Sequence, residues 1–147
     1  MPDRRAATTA RPRSNDGAAA VEFALVSVLL FTLVFGIIQY GFYFWASQIG
    51  SSAIRDAARY SAVGTKDCDA LRTTVTDQMG GAATGATTTT RSYDNIPAAS
   101  GDNVTVTISY QALNIGFPFI PIPNGGQIIQ SAQARVESAT SSSVNCT

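Results

Sequence analysis

The hydrophobic pattern begins abruptly at Ala18. From Ala18 to Ile38 the chain holds one ionisable side chain, Glu22, and from Phe23 to Ile38 it holds none. At about 1.5 Å per residue this run makes roughly 30 Å of helix, the depth of a bilayer's hydrocarbon core. Tyr40, Phe42, Tyr43, Phe44 and Trp45 crowd its far end, where amphipathic rings settle at headgroup level. The helical pattern does not stop there. No proline occurs between Pro12 and Pro97, and Ile49, Ala53 and Ala57 recur four apart beside Ile54 and Ala58. One helix is therefore predicted from about Ala18 to Val63, roughly 70 Å long, of which half projects beyond the membrane. That outer half is rich in small residues (Gly50, Ser51, Ser52, Ala53, Ala57, Ala58, Ser61, Ala62), which allow another helix or a sheet to approach closely, although a plain juxtamembrane stalk has the same composition.

After Gly64 the period changes. Asp67 is placed to cap a short helix, CDALRTTVTDQM, with Leu71, Val75 and Met79 on one face and Gly80-Gly81 as its stop. AATGATTTT, small and polar, reads as loop or frayed edge strand. NVTVTISYQAL alternates, with Val104, Val106, Ile108 and Tyr110 on one face, and SAQARVESA sets Ala132, Ala134 and Val136 against Gln133, Arg135 and Glu137. These two strands are expected to pair antiparallel. Between them, NIGFPFIPIPNGG interleaves Pro118, Pro121 and Pro123 with Phe117, Phe119, Ile120 and Ile122. Proline bars a central strand and favours a stiff extended loop. Its apolar side chains either lie under the sheet or form a contact patch for a partner or the membrane surface. The tail SATSSSVNCT is expected to be disordered apart from whatever Cys146 attaches to.

Charge adds direction. Lysines and arginines balance acids overall, but Arg4, Arg5, Arg11 and Arg13 precede the apolar run, and from Gly17 onward six cations face eight anions. This asymmetry satisfies the positive-inside rule with a cytoplasmic N-terminus. No basic stripe for nucleic acid is present. A cleavable secretory signal would share the basic start, with a cut near Ser51-Ser52-Ala53, but its apolar core should be shorter and no aromatic cluster should intervene. The Arg4-Arg5 pair has no apolar residue close behind it, as a twin-arginine signal would require.

Chemistry is scarce. Without histidine the chain cannot build a histidine-based triad or the common zinc sets, and Cys68 and Cys146 are too far apart in sequence for a metal motif. Asp67 and Asp69 flank Cys68, an arrangement that a helix start explains. No catalytic residues, metal, cofactor or small-molecule substrate are expected, and the chain does not read as an enzyme. Both cysteines fall on the outer side, where oxidation is permitted. They either pair with each other, closing a long loop, or remain unpaired or intermolecular thiols.

Glu22 gains meaning from Gly17. A cut between Gly17 and Ala18 would start the mature chain at Ala18, with the apolar run at once and the glutamate fifth. This resembles the site of type IV pilins and pseudopilins, in which a membrane prepilin peptidase removes a basic leader ending in glycine and a glutamate at the fifth mature position helps subunits dock. AAAVEFALV, FGIIQYGFYFW, AARYSAVG and the order of VTVTISY strand, proline-rich loop and SAQARVE strand are together similar to the TadE-like minor pilins of tight-adherence pili. The similarity extends from Gly17 to Ala139 and is strongest up to Gly64. Gln39 departs from it, standing where relatives often carry an acid.

The resemblance implies an α+β, type IV pilin-like fold, one long N-terminal helix plus a small antiparallel sheet. The expected division is a basic leader over 1–17, a transmembrane helix over 18–46, its extracytoplasmic continuation over 47–64, a small α+β domain over 65–140 and a tail over 141–147. The implied function is that of a structural subunit in a tight-adherence pilus, anchored once in the cytoplasmic membrane with its C-terminal domain outside, and present in the surface pilus if assembled. Its partners would be the lipid bilayer, a prepilin peptidase, other pilin subunits and the assembly machinery, and not nucleic acid. A single-pass protein whose outer domain binds something while its helix stays in the membrane is the competing class, and loss of the leader separates the two.

Overall fold

The computed structural model describes residues 16–64, 67–137 and 144–147; residues 1–15 of the expected leader and 141–143 of the expected tail lie outside these. Helix α1 runs unbroken over Asp16–Ala62, followed by α2 over Cys68–Met79. Three strands follow, β1 over Thr88–Tyr93, β2 over Asn103–Gln111 and β3 over Gln127–Arg135. They form one antiparallel sheet in chain order, with Val104 opposite both Tyr93 and Ala134. The fold is α+β and pilin-like: a long apolar helix with a small three-stranded sheet laid against its outer half.

Local sequence explains each element. Asp67 stands outside α2 in extended conformation and its Oδ1 accepts from the Ala70 N–H at 2.7 Å, filling one of the vacancies at a helix start. Gly80 stops the helix at positive φ while its N–H donates to the Thr76 carbonyl. In β2 the alternation holds along the strand, with Val104, Val106, Ile108 and Tyr110 buried. The polar run before it is an edge strand, and β3 begins at Gln127, four residues earlier than the SAQARVESA pattern indicates. Ile128 is its first buried residue, and Ile129, on the solvent face, interrupts the polar half of the alternation that would have announced the strand.

The core lies where the sheet meets α1. Ala46, Gly50, Ala53, Ile54, Ala57, Ala58, Ser61 and Ala62 form the buried stripe, at helical spacing. From α2 come Leu71, Val75 and Met79. Small residues matter because the sheet reaches past them to the helix backbone. The Tyr110 hydroxyl donates to the Ala46 carbonyl at 2.9 Å, Gln130 Nε2 to the Ser47 carbonyl at 3.0 Å and the Tyr93 hydroxyl to the Ser61 carbonyl at 2.8 Å. Gly50 is four residues beyond Ala46, one helical turn above that carbonyl. A Cβ there would run into the Tyr110 ring and Gln130 Oε1. Glycine at this one position admits the tyrosine.

The last four residues return to the sheet edge. Cys146 exchanges both backbone hydrogen bonds with Arg91 of β1, at 3.0 and 2.8 Å, and its sulfur is joined to Cys68 at the start of α2. Arg91 is almost wholly buried, its guanidinium donating twice to the Val144 carbonyl and lying 5.4 Å from the Tyr93 ring centre. Arg72 also donates to the Thr147 carbonyl. Residues 144–147 are thus a docked strap, anchored at Cys146, the one tail position the sequence excepted from disorder.

Candidate functional site

The inner half of α1 does the opposite of the outer half. Val21, Phe23, Leu25, Leu29 and Leu30 are each more than half exposed, and none of the most apolar stretch of the helix is covered by the rest of the chain. A helix that is apolar all round requires lipid or other helices about it. By length and hydropathy it can cross a membrane.

Within this bare half, between Gly17 and Ile38, three side chains are polar: Glu22, Ser27 and Thr32. The two hydroxyls bond back to their own helix, Ser27 Oγ to the Phe23 carbonyl at 2.5 Å and Thr32 Oγ1 to the Val28 carbonyl at 2.8 Å. Their polarity is spent internally, as in lipid-exposed helices. Glu22 is exposed and has no hydrogen bond or ion pair among the described residues. Gly17 and Ala18 are exposed in the first turn, with open space about Gly17. The structure places all three on one bare helical segment, Glu22 about one turn beyond Ala18.

Where the bare half ends, Gln39 is buried at 2% exposure. Its Nε2 donates to the Leu113 carbonyl and its Oε1 accepts from the Ile115 N–H, both at 2.8 Å. An amide can donate and accept at once, which a carboxylate cannot, so the departure noted at this position suits the contact this chain makes. Sequence reasoning did not find this contact; the one signal was a lone amide closing an apolar run. The proline-rich segment is here too: Phe117 stacks on Phe35 with ring centres 4.5 Å apart, and the Tyr40 hydroxyl donates to the Pro121 carbonyl at 2.7 Å. The loop is therefore not laid under the sheet: it lies along the helix. On the uncovered side, Ile38, Gly41, Phe42 and Trp45 line an open apolar groove of about 410 Å³.

Two tyrosines of the sheet domain have perturbed hydroxyls. Burial pushes the Tyr110 hydroxyl up to about 12, with a smaller push from Tyr43. Burial also raises Tyr93, partly offset by the Arg91 cation. These tyrosines hold the sheet to the helix and are structural. Asp67 is occupied as a cap and Asp69 faces Arg72 at 3.5 Å. Among the described residues no group of three or more candidate ligands is placed to hold a metal ion.

Residues 17–59 match the family of TadE-like proteins. The chain is TadE-like over this stretch. The TadE-like segment begins at Gly17, runs through Glu22 and the bare apolar half, and ends within the small-residue stripe, so it spans both behaviours of α1 and stops short of the sheet. No curated protein and no solved structure gives a match to the chain.

Proposed function

We propose that this chain is a minor pilin of a tight-adherence pilus, anchored by α1 in the cytoplasmic membrane with its sheet domain outside, processed after Gly17 and docked on neighbouring subunits through Glu22. The observation that carries the proposal is the state of the three polar side chains in the bare half. Ser27 and Thr32 bond within the helix while the carboxylate has no partner among the described residues. A charge at the edge of a bilayer, near the positive end of a helix dipole, costs less than the roughly 2.5–3.5 kcal/mol of the midplane, but it still favours a partner. Removal of residues 1–17 would create one, the α-ammonium of Ala18 on its own or a neighbouring chain. The exposed first turn supports access by a peptidase, because helix ends open at little cost. The division into leader 1–17, transmembrane helix 18–46, continuation 47–64, domain 65–140 and tail 141–147 belongs to the same reading.

The test compares wild type, Glu22→Ala and Gly17→Leu for leader removal in membranes and for subunit in sheared surface filaments. Wild type should begin at Ala18 by N-terminal peptide analysis. Glu22→Ala should be cut yet missing from the sheared fraction, and Gly17→Leu should be neither cut nor assembled. Retention of the leader in every wild-type copy would favour the membrane-anchored binding protein, and normal incorporation of Glu22→Ala would remove the docking role.

A further inference from the structure

We propose that the loop 113–122 is a second membrane-contact element, a proline-stiffened wedge that lays Phe119 among the upper acyl chains of the outer leaflet beside α1. This rests on the reading that α1 spans the bilayer. Four observations converge on it.

The first is depth. The loop touches α1 from Phe35 to Tyr40, through the Phe117 ring on Phe35, Ile120 beside Gly36, the Leu113 and Ile115 backbone on Gln39, and the Pro121 carbonyl on Tyr40. The apolar run ends at Ile38 and the aromatic belt begins at Tyr40. Phe35 therefore lies about 6 Å further down the helix than Gln39, level with the top of the hydrocarbon region. Anything stacked on Phe35 shares that level.

The second is polarity. Between Asp102 and Arg135 the sequence has no charged residue. Backbone at this depth must find its hydrogen bonds in protein. Pro118, Pro121 and Pro123 have no N–H to satisfy. The Leu113 carbonyl, Ile115 N–H and Pro121 carbonyl are bonded to α1, and the Ile120 N–H donates to the Phe117 carbonyl.

The third is the ring itself. Phe119 is 91% exposed, the most exposed large apolar side chain described, and it is held at a φ of 72° that is uncommon for anything but glycine. The ring stands clear of the rest of the chain, and Leu113 and Ile115 of the same loop are also open. The fourth is continuity: Phe117 on Phe35 and Ile120 beside Gly36 seat the loop on the apolar run of the helix, so one hydrophobic environment serves both. Amphipathic elements of this kind settle about 5–10 Å into the headgroup and acyl boundary.

The test uses the full chain in phosphatidylcholine vesicles, with Trp45→Phe removing the single native tryptophan. Reporters are placed singly as Phe119→Trp in the loop, Leu29→Trp in the bare helix and Ile129→Trp on the solvent face of β3, all exposed sites where the larger ring fits. Emission is read with lipids brominated near the top or near the end of the acyl chain, and with aqueous iodide. Phe119→Trp should lose most of its emission to shallow bromines and resist iodide, Leu29→Trp should respond to deeper bromines, and Ile129→Trp to iodide alone. A Phe119→Trp reporter as open to iodide as Ile129→Trp, with Leu29→Trp still quenched by lipid, overturns the wedge and leaves the spanning helix intact. Shielding of Phe119→Trp from both quenchers means contact with another copy and also overturns it. Failure of lipid to quench Leu29→Trp overturns the spanning reading and the wedge together.

Discussion

The two halves of α1 have one backbone and opposite surfaces. From Val21 to Ile38 the side chains are mostly large and apolar and the protein leaves most of them bare; from Ala46 to Ala62, beyond the aromatic belt, the stripe facing the sheet is built of some of the smallest and the protein buries it. Size and burial are inverted because the two halves meet different solvents. Against lipid, area counts, and Leu, Phe and Val supply it. Against a sheet, distance counts, and alanine and glycine let Tyr110, Gln130 and Tyr93 reach helix carbonyls. Hydropathy alone would therefore misplace the protein core, which sits under the less hydrophobic half.

The comparison is broken most directly by paired substitutions read by thermal unfolding of the outer domain in detergent. Leu71→Ala removes a fully buried side chain from α2 and should cost about 2–5 kcal/mol, while Leu29→Ala should leave the transition where it is. An equal loss from both would mean that the bare half contributes to the outer fold. Next in size is the Cys68–Cys146 bridge, which closes a separation of 78 residues. Its loss in the double serine variant should cost about 2–4 kcal/mol, below the roughly 4.5 kcal/mol of the chain-entropy limit. Hydrogen exchange at the Arg91 amide should speed up, since the strap that accepts from it is released.

Glycines give a finer probe. Gly50→Ala should cost about 1–3 kcal/mol by overpacking against Tyr110, whereas Gly41→Ala, in open space on the same helix, should be neutral or slightly stabilising. The smallest expected effect is alkaline. Tyr110 has its folded pKa raised from 10.0 to about 12, so the neutral phenol is the form the fold favours. The stability it supplies is whole below about pH 10 and is lost as the pH climbs through about 12. Tyr110→Phe should cost about 1 kcal/mol at neutral pH by losing the Ala46 hydrogen bond. It should also flatten the alkaline decline, leaving the part due to Tyr93.

Much of this arrangement was legible in the sequence, for reasons that differ by element. The helix length, the Asp67 cap, the Leu71, Val75 and Met79 face and the β2 alternation are local patterns, and local patterns survive folding. The small residues at Gly50, Ala53 and Ala57 announced a close approach without saying to what. Three features depended on contacts remote in sequence. Gln39 meets Leu113 and Ile115, Arg91 is enclosed by the Val144–Cys146 strap, and the proline-rich loop folds down onto Phe35. None has a periodic signature. Arg91 in particular stands in a polar run of the sequence and is nearly inaccessible in the fold. Gly17, Ala18 and Glu22 were visible as a register only through the resemblance, since a glutamate near a helix start is unremarkable by itself.

An unbroken α1 also acts as an index shaft. Between Glu22 and Gln39 nothing interrupts the helix, so the bearing of the carboxylate about the long axis is locked to the side on which the sheet and loop hang. At 3.6 residues per turn the two differ by about a quarter turn. A neighbour meeting Glu22 would then come alongside the subunit without colliding with the domain above it. Angular phase and hydrophobic length are thereby separate quantities: one residue inserted between Glu22 and Gln39 lengthens the shaft by only about 1.5 Å but swings the carboxylate by about 100°.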